Sequence, residues 1–460
     1  MRTHSMRAAA GVFCAAVLSG PAGAQPAALP KPELPAKVMA EIKADVLRKH
    51  VDTLCGFGTR HTLSSDKVFG KGIAAARDWL QRTFEDCQRS IPGQPLLNVY
   101  LDVFEQPPVE RMPNGGQIVN VVAVIPGTMP EAAERRYYVA AHYDSIPTDK
   151  MDNTSDAPGA NDNASGTAAL LEICRVLAAR PLESTVVLLA TAGEEQGLLG
   201  ARWHAADAKE KGRDVRAVLN NDIVGDPSPA FNGEKGPHAG FVRVFSEGIP
   251  SNPRGLQLAE IRRLASESDS PSRQIARYVA EVAAWENTRV KPMMVFRPDR
   301  FLRGGDHLAF NDQGFAAVRF TAMGEDYTRQ HQDVKEVDGV KYGDRAEYVD
   351  AEYLAGVTRL NAATLVHLAN APREPAAVRI VTAKLEAGTI RWEKCPEPDT
   401  SGYEVVWRET TSPVWQHSKD VGNVAEARLE VSKDNVYFGV RAYDKDGYRS
   451  PVSFAGAAVE

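Results

Sequence analysis

Two adjacent glutamates, Glu194 and Glu195, end the apolar run of "LLATAGEEQGLLG" (residues 188–200) and stand among glycines. Four other segments end in related chemistry: "AAHYDS" carries His142 and Asp144, "PGANDNASG" carries Asp162, "LNNDIVG" carries Asp222 and "RQHQD" carries His331. Two imidazoles and several carboxylates without a thiol suit a hard or borderline divalent ion, and zinc accepts both donor types. Without a cation such a cluster is costly, because neighbouring carboxylates cannot all stay ionised. Two zinc ions about 3.5–4 Å apart share a water, lower its pKa and polarise a carbonyl. A carboxylate that is not itself a ligand can take that water's proton and pass it to a leaving amine. Adjacent residues on an extended or turning segment point in different directions, so a Glu-Glu pair can aim one carboxylate at metal and the other at substrate. Other hydrolytic routes lack their signatures: there is no H-E-x-x-H, and no G-x-S-x-G surrounds Ser165.

Such distant residues meet only if the fold brings strand ends together. Strand-like segments at Asn98–Phe104, Ile118–Ile125, Tyr137–Ala141, Thr185–Ala190 and Ala217–Leu219 alternate, from the third onward, with helical patterns at Gly166–Leu177 and Gly197–Lys209. That alternation predicts an α/β domain with a mostly parallel mixed sheet flanked by helices. In open α/β sheets ligands collect at the carboxyl ends of the strands, where three of the five segments fall. Amphipathic helices are expected before the sheet, at Val38–Leu54 and Gly70–Phe84, and after it, with Ser270 capping a helix that Pro271 begins and a last one at Tyr353–Leu368. Beyond "ANAPREP" (369–375) the pattern changes to short strands and turns, which predicts a small all-β sandwich over 376–460.

The segments "HYDS", "GANDNASGTAALLE", "GEEQGLLGA", "NND" and "GGDHLAF…H" together resemble the zinc-dependent exopeptidases of the M28 type, over roughly Leu54 to Leu368. The resemblance implies two Zn2+ per chain, one held by His142 and Asp222, the other by Glu195 and His331, with Asp162 bridging. It implies Glu194 as general base, and Asp144 as the partner that orients His142 through its second ring nitrogen. Tyr327 is a candidate donor to the tetrahedral intermediate, although bacterial members place a tyrosine immediately before the last histidine, where this chain has Gln330. Arg303, with Arg297 and Arg300, is a candidate for binding a peptide carboxylate. The expected function is aminopeptidase; a carboxypeptidase shares the ligand set, and a single-zinc glutaminyl cyclase would leave His142 and Asp222 without a role. The β-rich tail resembles a fibronectin type III module, through Trp392 and "VYFGVRAYDKDGYRSP".

The chain has 460 residues and a formal net charge of −6, without a long basic run, which argues against nucleic acid and anionic membranes as partners. Arg2 and Arg7, the apolar stretch from Ala8 to about Leu18 and the triplet Ala22-Gly23-Ala24 have the layout of a signal peptide (1–24), so the protein is expected in the periplasm or outside the cell. No later segment offers a membrane span. Residues 25–37 read as a tether and 38–369 as the peptidase domain. In an oxidising compartment Cys55 and Cys87 are the plausible disulfide pair, both falling in the N-terminal helical region, with Cys174 a buried free thiol.

Overall fold

The computed structural model describes residues 29–65, 70–88, 97–251, 255–381 and 388–457. The signal-peptide segment lies outside them. Eight strands form the central sheet: β1 (Asn98–Gln106), β2 (Gly116–Ile125), β3 (Arg135–His142), β4 (Thr185–Thr191), β5 (Asp214–Asn221), β6 (Phe241–Ser246), β7 (Lys291–Val295) and β8 (Ala317–Thr321), in the order β1-β2-β4-β3-β5-β8-β6-β7. The centre, β4-β3-β5-β8, is parallel throughout, while β1 and β2 run antiparallel at one side and β6 opposes β8 at the other.

Burial on both faces explains why the central strands are so apolar. Every residue of β4 (TVVLLAT) is buried. Along β3, Tyr137, Val139 and Ala141 enter one core while Tyr138 and Ala140 enter the other, the period-2 alternation of a pleated strand. The first core is closed by α2 (Ala44–Gly56), α4 (Ser165–Leu177), α7 (Pro271–Trp285) and α9 (Ala351–Asn370); the second by α5 (Leu199–Glu210) and α8 (His307–Asp312). Ser270 caps α7 by accepting from Arg273 N, with Pro271 opening the helix, as the sequence predicts.

Three expectations at the N-terminus need correction. A helix, α1 (Leu34–Glu41), begins inside the segment read as a tether, with Pro35 in its first turn where a missing N–H costs nothing. The pattern read as one helix from Val38 is broken at Ile42 and Lys43, both extended, and the break frees Lys43 N to donate to the buried Glu172 carboxylate at 2.8 Å. Cys55 and Cys87 do not form the expected disulfide. Cys87, just past α3 (Gly72–Glu85), turns inward against the Cys174 thiol, whereas Cys55 sits within electrostatic reach of Arg60.

After α9, two four-stranded sheets pack face to face. One contains Ala376–Ile380, Gly388–Glu393, Glu426–Leu429 and Gly456–Ala457; the other contains Thr400–Glu409, His417–Gly422, Val436–Asp444 and Ser453–Phe454. Val378, Ile390 and Trp392 from the first share a core with Tyr403, Val405, Phe438 and Val440 from the second. Buried charge joins this sandwich to the α/β domain: Arg408 pairs with Asp269 at 2.8 Å, and Arg441 with Glu281 at 2.8 Å. No helix among the described residues is long and apolar enough to cross a membrane.

Candidate metal centre

The parallel strands deliver the predicted residues to one edge. His142 is the last residue of β3, Glu194 and Glu195 follow β4, and Asp222 follows β5. Asp162 comes from the loop ahead of α4, and His331 from the long connection after β8. Gly166, in the first turn of α4, lies so near β5 that a Cβ there would stand 2.2 Å from Asn221 O; only glycine lets the Asp162 loop approach Asp222. Gly193, at φ 72°, makes the sharp turn that separates the directions of the two glutamates from the strand before them.

The side chains converge. His142 Nε2 lies 3.2 Å from Asp162 Oδ1 and 3.8 Å from Asp222 Oδ1, and His331 Nε2 lies 3.0 Å from both Asp162 Oδ2 and Glu195 Oε1. Asp162 therefore presents one oxygen to each of two donor groups. All of these residues are buried except His331, which is partly exposed. Ile223 (φ 62°) and His331 (φ 52°) both hold backbone conformations that non-glycine residues rarely adopt, beside the candidate ligands Asp222 and Asp162. Such strain persists only where the surroundings over-determine it.

The electrostatics are those of a cluster awaiting positive charge. Burial opposes ionisation of Asp162, yet His142 and His331 hold its carboxyl well below the usual range. Burial likewise opposes charge on His142, but Glu194 and the aspartates Asp144, Asp162 and Asp222 drive its pKa well up. Glu194, unlike Asp162, is raised far above an ordinary glutamate by burial, then by the Glu195 and Asp222 carboxylates, with His142 opposing. Glu194 lines a cavity of about 620 Å³ together with Asp162, Glu195 and Asp222, and Arg111, Arg202, Arg303 and Tyr327 form other parts of its wall.

Asp144 departs from its expected geometry. The nearest acceptor of His142 Nδ1 is the Asp144 backbone carbonyl, at 3.2 Å, while the carboxylate stands at 3.5 Å. The carboxylate instead accepts from Glu195 N at 3.1 Å, Glu194 N at 3.4 Å and Thr62 Oγ1 at 3.2 Å. One residue thus fixes the imidazole through its main chain and the Glu-Glu turn through its side chain. Tyr327 is two-thirds exposed on the cavity wall. Arg303 also lines it, but its guanidinium pairs with Glu325 at 3.0 Å and Gln330 at 3.3 Å.

The comparisons with known proteins bear on this site directly. The model of peptidase family M28 matches residues 120–351, a span that contains all seven of the predicted catalytic and metal-binding residues. A probable zinc metalloprotease of Leptosphaeria maculans is 42% identical over 92% of this chain and 97% of its own length. The chain belongs to peptidase family M28. A second probable zinc metalloprotease, from Pyricularia oryzae, is 42% identical over 93% of this chain and 85% of its own. Among solved structures, LapB of Legionella pneumophila shares the fold, with a TM-score of 0.50 and 18% identity over 72% of this chain and 74% of that one. This M28 chain is a zinc-dependent protease, and its residues fit the metal. Glu195 Oε1 and His331 Nε2 are buried, only 3.0 Å apart, and make no aligned hydrogen bond. Ligand atoms bound at about 2.0–2.2 Å around a tetrahedral zinc stand roughly 3.3–3.5 Å apart, close to the 3.0–3.8 Å separations here.

Several supports of the site carry no motif of their own. Asp344 accepts the main-chain N–H groups of Asn161 and Asp162 at 2.7–2.9 Å, and Gln330 Nε2 donates to Asp162 Oδ2 at 2.9 Å. Arg60 is wholly buried and bolts the loops together through the carbonyls of Leu54, Tyr143, Pro158 and Gly159. Arg319 leaves a trace in the sequence, a lone arginine inside the apolar strand "AVRFT"; it pairs with Asp222 at 3.1 Å and Asp299 at 3.0 Å. Burial works against ionisation of Asp222, and Arg319 more than His142 keeps its carboxyl below the usual range. Replacing Arg319 with leucine removes the buried cation that Asp222 and Asp299 share, which costs about 3–5 kcal/mol of stability. Urea unfolding of the metal-free protein reads that loss; an unchanged midpoint would refute the pairing's importance.

Proposed function

We propose that this metalloprotease is an exported dinuclear zinc aminopeptidase. The reading rests on Asp162, whose Oδ1 faces His142 and Asp222 while its Oδ2 faces Glu195 and His331, one donor group for each of two ions. Zinc held there supplies Lewis acidity toward the scissile carbonyl and acidifies water. Glu194, which accepts no ligand position in this scheme, takes the water's proton and delivers it to the leaving amine nitrogen. Asp144 holds the Glu194–Glu195 turn against His142, so the base keeps its distance from the reacting carbonyl through a rigid main-chain contact. Tyr327, on the cavity wall, donates to the developing oxyanion.

Recognition of a free amino terminus is supported by where two arginines of the loop are engaged. Arg300 and Arg303 both pair with Glu325, at 2.7 and 3.0 Å, so these guanidiniums are held within the protein rather than offered to a peptide carboxylate. The second reading, a carboxypeptidase, draws on Arg111, Arg202 and Lys150, which line the same cavity. Aminoacyl arylamides with free and blocked amino groups separate the two. Hydrolysis confined to the free substrate, and abolished by a chelator until zinc is restored, is expected; equal turnover of the blocked substrate sinks the aminopeptidase reading. The C-terminal sandwich is proposed to be a fibronectin type III-like appendage without a catalytic part.

A further inference from the structure

A second group of carboxylates lies far from the catalytic centre, where the sandwich meets the α/β domain. Glu183 precedes β4, Asp399 precedes the strand Thr400–Glu409, and Asp444 ends the strand Val436–Asp444. One oxygen from each lies within 4.8 Å of the others. Asp444 is only 1% exposed. Its Oδ1 accepts from Asp446 N and Tyr448 N, both at 2.9 Å, and its Oδ2 is buried without a hydrogen-bond partner. Glu183 Oε2 and Asp399 Oδ1 are buried and unpartnered as well. None of the three forms an ion pair with a lysine or arginine among the described residues. Arg135 lies within electrostatic reach of Glu183 and Asp399, but its ion pair is with Glu397, at 3.6 Å, and it donates to the Ala371 carbonyl at 3.0 Å.

We propose that Glu183, Asp399 and Asp444 bind a calcium ion that clamps the C-terminal sandwich to the α/β domain. An all-carboxylate donor set without nitrogen or sulfur selects a hard cation. Ca2+–O distances of about 2.3–2.6 Å let one ion span oxygens up to roughly 5 Å apart, whereas Mg2+ at about 2.0–2.1 Å demands a tighter octahedron. Without a cation the three carboxyls suffer for their proximity: burial, then Asp399 and Asp444, push Glu183 up to about 8, and burial, then Asp399, pushes Asp444 up to about 7. The ligands come from both domains, so occupancy couples the start of β4 to the sandwich.

The test uses the full-length zinc-loaded enzyme in buffer stripped of calcium, titrated with calcium chloride by calorimetry and followed by thermal unfolding. The expected result is one calcium bound per chain, a Tm raised by several degrees, and unchanged zinc content. Asp444→Asn and, independently, Glu183→Gln should each weaken calcium binding by about tenfold or more, with zinc content unchanged. Glu183→Gln guards against misfolding of the first variant, since the Glu183 carboxylate caps no turn. Absence of calcium binding to the wild-type chain would overturn the proposal. So would calcium binding that both variants leave intact, or variants that raise Tm in a chain that binds no calcium, which would mark the cluster as protonated carboxyls only.

Discussion

Glu194→Gln is expected to keep its zinc and lose about three orders of magnitude in kcat, the scale of a lost general base. The substitution preserves shape and leaves His142, Asp162, Glu195, Asp222 and His331 in place, so metal content by elemental analysis should match the wild type. Glutamine cannot accept the water's proton, and KM should change far less than kcat because the carboxylate acts on the transition state rather than on the bound substrate. Glu194 stands partly buried beside Glu195 and Asp222, so the wild-type carboxylate is held at a cost, through desolvation and like charge. Removing the charge should therefore leave Tm equal or raised. A metal-loaded Glu194→Gln enzyme with near wild-type kcat would assign the proton transfer elsewhere. The neighbouring Glu195→Gln should behave differently, weakening one zinc, because Glu195 Oε1 stands 3.0 Å from His331 Nε2 in a candidate metal-holding group.

Asp162→Ala should empty the centre. Its two carboxylate oxygens stand 3.2 Å from His142 and 3.0 Å from His331, so one substitution removes a donor from both groups. Zinc content should fall below one per chain and activity by more than about a thousandfold, since metal and base act as a unit. The loop itself should survive, because Asp344 holds it through the main-chain N–H groups of Asn161 and Asp162, and Arg60 holds the preceding carbonyls. An unchanged circular dichroism spectrum beside lost zinc is the expected pair of observations. Two zinc ions retained with activity within about tenfold of wild type would show that Asp162 does not bridge.

Much of the fold was legible from pattern. Strand and helix alternate in composition from Tyr137 onward, and the buried central strands write themselves as runs such as TVVLLAT, because both of their faces need apolar cover. The errors fall where composition is permissive. The break at Ile42 and Lys43 is invisible in a helical stripe, since the Glu172 carboxylate that rewards it lies 129 residues away. The pairing of Cys55 with Cys87 looked reasonable from shared location in the N-terminal helices, yet thiol direction depends on how α2 and α3 rotate against the sheet. Asp144 was placed beside the right histidine, while the sharing of its main-chain and side-chain oxygens between two tasks required coordinates.

The sequence by itself determined the chemistry: which donors exist, their order, and the glycines that let Gly193 and Gly166 bring them close. Those features are local, carried by residue type and by short spacing along strands that end where ligands gather. Tertiary structure alone decided the pairing. It set which oxygen of Asp162 meets which histidine, it put Arg319 behind Asp222 and Asp344 beneath the Asp162 loop, and it gathered Glu183, Asp399 and Asp444 from two domains into one cluster. The physical reason is distance along the chain: an ion pair or hydrogen bond between residues a hundred or more positions apart leaves no periodicity in sequence, because only packing chooses its partner.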